Sequence, residues 1–215
     1  MSWSGDREDR CRSAPAKPPA VTTRVEWLTH FAGIDLQDLC AATEQAILDG
    51  NGFGWLKAPP RDKLESYWRG VLLVPERDLV VARYDGTIVG SAQLVRPPAN
   101  NEAQAFAAQV TTFFVAPFAR GHGLAHGLLD AIDVRAAERG FEAIELSVRD
   151  TQKAAIALYE KCCYVRWATK KKYAKVNGAF VVGHYYAKEV VPSQSTATGA
   201  VTDSDSKVAR MARRR

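Results

Sequence analysis

Two glycines separated by one residue lie between a strand-like run and a helix-like run of this sequence. The segment reads Arg120-Gly121-His122-Gly123-Leu124-Ala125 and follows an apolar stretch that ends at Pro117. The start of a helix leaves backbone N–H groups unpaired, and the helix dipole attracts anions there. Glycines let a phosphate approach the backbone closely, and Arg120 can pair with a phosphate oxygen. The segment therefore predicts a pyrophosphate-binding loop at a helix start.

Two common phosphate-binding motifs do not account for this loop. A dinucleotide-binding fingerprint needs a third glycine and a later acidic residue. Counted from Gly121 and Gly123, the third glycine position is His126. A P-loop needs Gly-Lys-Ser/Thr, which the segment lacks. By spacing alone, an ordinary turn between a strand and a helix stays open as the alternative.

The hydrophobic period around the loop alternates between strand-like and helix-like stretches. Strands are predicted at 25–31, 78–84, 87–96, 107–116, 141–148, 164–172 and 179–189, and helices at 35–48, 62–72, 123–139 and 151–162. The predicted helix N-caps are Asp35, Asp62 and Thr151, and Asp85-Gly86 predicts a hairpin turn. This order predicts a mixed α/β (α+β) fold, in which helices cover the faces of one sheet.

Composition divides the chain into one folded unit and two tails. Apolar residues make up 47% and charged residues 25%, which is ordinary for a globular domain. Residues 1–22 and 191–215 are polar and biased, so we expect two disordered tails around one domain at 23–190. That domain carries 20 basic and 19 acidic residues, so most of the net charge of +5 lies in the tails. The balanced domain does not favour a nucleic-acid partner, for which the C-terminal arginines are the only basis.

Cysteine usage and hydropathy indicate the compartment. The chain has four cysteines, at positions 11, 40, 162 and 163, and their spacing fits neither a zinc site nor a secreted disulfide framework. The most apolar stretch, 105–119, is broken by polar residues, and the N-terminus lacks the apolar run of a signal peptide. The sequence therefore predicts a cytoplasmic protein with reduced thiols, no metal and no membrane contact.

The loop becomes specific once its surroundings are included. Arg120-x-x-Gly123-x-Ala125 resembles the Arg/Gln-x-x-Gly-x-Gly/Ala acetyl-CoA signature of the GNAT acetyltransferase superfamily. Phe113-Phe114-Val115-Ala116-Pro117 resembles the strand that precedes this signature, and residues 146–161 resemble the family's fifth strand and following helix. The resemblance covers residues 23–190 and is strongest from 107 to 165.

The resemblance implies a GNAT-type acyl-CoA N-acyltransferase fold. Its central sheet is mostly antiparallel, its fourth and fifth strands splay apart, and the pantetheine arm of acetyl-CoA lies in the gap. The loop amides would hold the pyrophosphate, and Gln152 stands where the family often has an Asn that contacts the arm. The implied cofactor contacts are Phe114, Val115, Arg120, Gly121, His122, Gly123, Leu124, Ala125 and Gln152.

The resemblance also implies a reaction, in which an amine attacks the thioester carbon and CoA thiolate leaves. Tyr159 occupies the position of the family's general-acid tyrosine. A phenol of pKa about 10 can protonate a forming thiolate of pKa about 8.5 within hydrogen-bond reach. Some members carry a Glu on the fourth strand as general base, where this chain has Gln109. Glu145, Glu102 and a chain of water molecules stay open for that role.

Other features of the sequence leave alternatives. Cys163 stands where the family has glycine, and we expect Cys162 and Cys163 to be two buried small residues. Lys170-Lys171-Lys172 is expected to be a solvated strand end. In the family, the region that holds Phe53, Trp55, Tyr67 and Trp68 helps form the acceptor pocket, and core packing is the alternative for these aromatic residues.

The acceptor is open between small-molecule amines, amino-acid-like toxins, antibiotics and protein N-termini or lysines. A homodimer is also open, as is a non-catalytic acyl-CoA-binding module of the same fold.

Overall fold

The computed structural model describes residues 21–50 and 54–193. Its strands are β1 (Thr23–Leu28), β2 (Arg77–Tyr84), β3 (Thr87–Val95), β4 (Ala107–Val115), β5 (Ala143–Arg149), β6 (Val165–Val176) and β7 (Ala179–Glu189). Its helices are α1 (Asp35–Leu48), α2 (Arg61–Leu73), α3 (Leu124–Glu138) and α4 (Lys153–Lys161), with single 3-10 turns at Glu102–Gln104 and Pro117–Ala119. The order of elements is the predicted one. The tails expected at 1–22 and 191–215 lie outside the described residues, apart from 21–22 and 191–193.

The strands form one sheet in the order β1-β2-β3-β4-β5-β7-β6. Every neighbouring pair is antiparallel except β4 and β5, which run parallel. The Asp85-Gly86 turn joins β2 to β3, and both residues have positive φ, 48° and 85°, as a two-residue hairpin turn requires. The mixed, mostly antiparallel fold predicted from the sequence is confirmed.

Helices cover both faces at the centre of the sheet. The stretches 79–82 and 88–94 are buried without alternation, which happens only where both faces of a strand are covered. Helices α1 and α2 contact each other and pack over β2, β3 and β4, whereas α3 lies across β1 to β5. None of these helices, over the described part of the chain, is long and apolar enough to cross a membrane.

The three predicted N-caps, Asp35, Asp62 and Thr151, are wrong. The N-cap residues of α1, α2 and α4 are Ile34, Pro60 and Gln152, and none of them makes a side-chain capping bond. Asp35 lies inside the first turn of α1, where its carboxylate accepts hydrogen bonds from Arg83 at 2.8 Å and from the Ala32 amide at 3.1 Å. The bond from Arg83 holds the pKa of Asp35 below its usual value. An ion pair between α1 and β2 therefore takes the place of a capping bond at this carboxylate.

The turn after α4 corrects a second expectation. Cys162 is buried, but Cys163 is exposed and has φ of 66°. A left-handed residue directly after a helix is usually glycine, because a Cβ is strained there. The family glycine at this position therefore has a backbone reason, and Cys163 adopts the same conformation with strain.

Replacing Cys163 by Gly is expected to raise the free energy of unfolding by about 1 kcal/mol, since relief of left-handed strain exceeds the added entropy of the unfolded chain. Urea unfolding measures the change. Cys163→Ala keeps the Cβ and is the matched control, for which no gain is expected. An equal gain from both variants would mean that the thiol, rather than the backbone, destabilises the turn.

Candidate active site

The parallel strands β4 and β5 are bonded over only three residues each. Their pairing joins Ala107–Gln109 to Ala143–Glu145 and then stops. Beyond it the strands diverge, and a cavity of about 510 Å³ lies between residues 110–115 of β4 and 146–149 of β5. The splayed fourth and fifth strands that the resemblance implied are present.

A bulge in β4 accompanies this divergence. Thr112 and Phe113 stand opposite Ala92 alone, where the register with β3 shifts. Thr112 has φ of 50°, which a β-branched residue rarely adopts. Bulges bend the strand that carries them. This one bends β4 and places Thr112 in the cavity wall.

A chain of side-chain hydrogen bonds from β2, β3 and α2 ends at Thr112 in the bulge. Arg77 donates to the side-chain oxygen of Gln93, Oε1, at 2.8 Å. Gln93 is fully buried, and its side-chain nitrogen, Nε2, donates to the Tyr67 hydroxyl at 3.1 Å. The Tyr67 hydroxyl also forms a hydrogen bond with Thr112 Oγ1, 3.2 Å away, in which either hydroxyl can be the donor. Ser91 adds a bond to the Thr112 carbonyl at 3.3 Å. Because an amide and a guanidinium end the chain, it orients Thr112 and does not conduct protons out of the cavity.

The predicted phosphate loop lies at one end of the cavity. Gly121 and Gly123 have φ of 82° and 77°, and nothing lies within 4 Å of a Cβ built on either residue. Among the described residues, no hydrogen bond uses the amides of residues 121–125. These amides precede the 15-residue helix α3, whose N-terminus favours an anion. The geometry is that of an open anion cradle.

The side chains of this loop differ in what they can reach. Arg120 and Ala125 line the cavity. Leu124 is buried in the core, so only its amide faces the cradle. His122 packs edge-on against Tyr84, with ring centroids 4.7 Å apart, and does not line the cavity.

Asp49 and Gly50, which directly follow α1, contact Arg120 and Gln152. Arg120 forms an ion pair with Asp49 at 2.7 Å and donates to the Val115 carbonyl at 3.3 Å. Gln152 lines the cavity and donates to the Gly50 carbonyl at 2.6 Å. The end of α1 therefore contacts both long side chains that the sequence assigned to the cofactor.

Tyr159 lies in the cavity wall on α4. Its side chain is 5% exposed and its ring packs against Phe113, Tyr164 and Tyr186. Within the described residues its hydroxyl has no hydrogen-bond partner. Burial, with a smaller contribution from Tyr173, raises the pKa of Tyr159. The hydroxyl therefore keeps its proton at neutral pH and can donate it into the cavity.

Neither carboxylate that the sequence offered as a base lies in this cavity. Glu145 and Gln109 line a second, smaller cavity of about 290 Å³ at the closed end of the β4–β5 pair. Glu102 is exposed on a 3-10 turn. Among the described residues, the main cavity is lined by no Asp, Glu or His. The same part of the chain has no cluster of three or more metal-ligating side chains.

The aromatic residues before and on α2 divide between core and site. Trp68 is fully buried and its indole donates to Thr43 at 3.1 Å, so it belongs to the core. Tyr67 packs edge-on against both Trp55 and Trp68, with centroids 5.0 Å apart in each case, and reaches Thr112 in the cavity wall. Phe53 lies outside the described residues. Lys170, Lys171 and Lys172 are exposed, as expected, but they lie within β6, which continues to Val176, and not at its end.

Three polar side chains from β5 and β6 are among the cavity residues that the sequence did not indicate. Ser147 and Arg149 lie on β5, and Tyr173 reaches the cavity from β6, which is the outer strand of the sheet. The signal in the sequence was Gly183, a glycine inside a strand, which indicates the close approach of another group.

Comparison with known proteins agrees with this geometry. A model of the acetyltransferase (GNAT) family matches residues 40–163. An uncharacterized N-acetyltransferase in the hisH–hisA intergenic region of Azospirillum brasilense is 48% identical over 152 residues, which are 66% of this chain and 90% of that protein.

Solved structures share the fold. The Staphylococcus aureus Mu50 N-acetyltransferase is 17% identical with a TM-score of 0.68, covering 78% of this chain and 98% of its own. A GNAT superfamily phosphinothricin acetyltransferase from Sinorhizobium meliloti, solved in complex with acetyl-CoA, is 18% identical with a TM-score of 0.65, covering 85% and 96%.

The fold, the cavity between β4 and β5 and the similar proteins together define an acyltransferase that uses a CoA thioester. The chain belongs to the GNAT acetyltransferase family. It is an N-acetyltransferase, and its acetyl donor is acetyl-CoA.

Proposed function

We propose that this enzyme transfers the acetyl group of acetyl-CoA to a primary amine bound at the splayed gap. The observation that carries this proposal is the continuity of the cavity. One groove runs from Arg120 and Ala125, which flank the open amides at the start of α3, to the buried Tyr159. A donor with an anionic end and a reactive thioester end fits such a groove.

The proposed cofactor contacts lie along the groove or in the loop at its end. The amides of Gly121, His122, Gly123, Leu124 and Ala125 bind the pyrophosphate, and Arg120 adds a charge. The backbone at Phe114 and Val115 pairs with the pantetheine arm in place of β5. Since the Ala116 amide bonds to β3, the alternation of strand hydrogen bonds turns the groups of Val115 towards the gap. Gln152 contacts the arm from the start of α4.

The chemistry is a direct transfer. The neutral amine nitrogen attacks the thioester carbon, a C–N bond forms, and the C–S bond breaks. The nitrogen loses one proton to water, because the described cavity wall offers no carboxylate. Tyr159 gives its proton to the departing sulfur and regains one from solvent. The products are the N-acetyl amine and CoA thiol.

The direct test combines binding and turnover. Isothermal titration with acetyl-CoA should give saturable binding, and release of CoA thiol should require an added amine. Binding without product across a broad panel of amines would favour the non-catalytic acyl-CoA-binding module instead.

Asp49 competes with the cofactor for Arg120. Replacing Asp49 by Asn is expected to lower the Kd for CoA by about threefold, because it releases the guanidinium and removes a negative charge near the phosphate site. Titration calorimetry at low salt measures the change. Glu138→Gln removes the same charge at the other end of α3 and should leave the Kd unaltered. Weaker binding by Asp49→Asn would mean that Asp49 positions Arg120 for the phosphate.

We further place the enzyme in the cytoplasm, as one domain at 23–190 with two tails. The three described cysteines are unpaired and Cys163 is exposed, which suits a reducing compartment. Assembly as a homodimer stays a prediction.

A further inference from the structure

A bulge in β6 delivers Tyr173 to the cavity. The pairing of β6 with β7 shifts between Lys170 and Ala174, so that three residues of β6 stand opposite one residue of β7. The Tyr173 ring lies directly over Gly183, where a Cβ would be 2.1 Å from Tyr173 Cγ. Only glycine at this position of β7 leaves room for the ring. The bulge in β6 and the glycine in β7 therefore fix the position of the Tyr173 ring.

Tyr173 joins two residues of β5. Its hydroxyl lies 2.7 Å from Ser147 Oγ. Ser147 and Arg149 are two residues apart on one strand and so share a face of the sheet. Arg149 stands directly opposite Gly183, over which the Tyr173 ring lies. The three side chains therefore form one cluster, which we call the β5–β6 cluster, and all three line the cavity.

The β5–β6 cluster and Tyr159 approach the gap from opposite faces of the sheet. Tyr159 packs on Tyr186, which stands opposite Leu146 in register. Leu146 and Ser147 are successive strand residues and point to opposite faces. Tyr159, the proposed acid, thus approaches the gap from one face of the sheet. The β5–β6 cluster approaches it from the other face and is left for the acceptor.

The charge of this wall restricts the acceptor. Arg149 is 9% exposed, and the charged residues of the described cavity wall are Arg120 and Arg149, both cations. Arg120 belongs to the phosphate end. A diamine or a lysine side chain adds positive charge to a cavity wall whose described residues include no carboxylate. A guanidinium instead binds a carboxylate or a similar oxyanion in a fork geometry.

We propose that the acceptor is a zwitterionic amine, with an oxyanion near its nitrogen, as in an α-amino acid. The oxyanion binds Arg149, and the amine N–H groups donate to the oxygens of Ser147 and Tyr173. The nitrogen lone pair is then left for the thioester carbon. This inference rests on the proposed function and names its substrate class.

The test compares amino acids with their own amides and with diamines, at saturating acetyl-CoA, by release of CoA thiol. Because a charge-assisted bond is replaced, kcat/KM for each acid should exceed that for its amide by about 10-fold or more. Arg149→Gln should bring this ratio close to one while the Kd for acetyl-CoA stays unaltered. Tyr173→Phe and Ser147→Ala should raise the KM for the acid more than they lower kcat.

Lys171 lies in the same bulge but is exposed and outside the cavity wall, so Lys171→Gln should keep the acid preference. Preference for amides or diamines overturns the inference and leaves the transferase function standing. So does a loss of acetyl-CoA affinity in Arg149→Gln, which places that residue at the cofactor. If acetyl-CoA binds but no amine is acetylated, the proposed function fails, and the substrate class fails with it.

Discussion

Replacing Tyr159 by Phe is expected to lower kcat by about 100-fold or more and to leave the Kd for acetyl-CoA within about twofold. The change removes one oxygen, and within the described residues no neighbour is bonded to that oxygen. The ring and its contacts with Phe113, Tyr164 and Tyr186 remain. The only interaction expected to be lost is the one between the Tyr159 hydroxyl and the leaving thiolate. Steady-state thiol release and titration with acetyl-CoA separate the two quantities.

Tyr164 supplies the matched control. It is also buried, and burial raises the pKa of its phenol, but its hydroxyl faces Asp133 at 3.5 Å and it does not line the cavity. Tyr164→Phe should therefore keep kcat near the wild-type value. If Tyr159→Phe weakened acetyl-CoA binding and kept turnover, or if Tyr164→Phe lost as much turnover, Tyr159 would not be the acid.

The direction of the Tyr159 pKa shift fixes the pH profile that belongs to this role. Burial disfavours the phenolate, so the proton is lost only above the ordinary phenol pKa of about 10. Activity should rise with pH as the acceptor ammonium loses its proton. It should not fall again below pH about 10 through Tyr159.

Local chemistry explains why the geometry of the loop at the start of α3 could be predicted from the sequence. Gly121 and Gly123 need positive φ, and the helix start after them needs an anion or water. Both requirements act within a few residues of the chain, so a short motif carries them. Hydrophobic periodicity carried the order of strands and helices for the same reason.

The cavity wall around Thr112 and Tyr173 could not be predicted from the sequence, because its geometry depends on the register between strands. The bulges at Thr112 and before Ala174 exist only relative to β3 and β7. Gln93 is a polar residue in an otherwise apolar strand, and its hydrogen-bond partners Arg77 and Tyr67 lie on other elements. The prediction of Asp35 as a cap was wrong for a related reason, since Arg83 on β2 binds its carboxylate. Tertiary partners decided each of these positions.

Gly90 links the core to the groove, and Gly90→Ala is expected to cost about 2 kcal/mol of unfolding free energy. A Cβ at Gly90 would lie 2.6 Å from the Phe114 carbonyl oxygen and 3.2 Å from Val115 Cα. These are backbone atoms and cannot rotate away, so β4 must shift. Because the same backbone forms the proposed pantetheine wall, acetyl-CoA affinity should fall by about 10-fold at the same time. Urea unfolding and titration calorimetry measure the two effects.

Gly70 on α2 gives the opposite case within the same chain. A Cβ there meets nothing within 4 Å, so Gly70→Ala should stabilise by about 0.5–1 kcal/mol and leave affinity unaltered. If Gly90→Ala lost stability and kept its affinity, the close approach of β3 to β4 would serve the core alone. Loss of both together would show that the edge of β4 is held in place for the pantetheine arm by a glycine on the neighbouring strand.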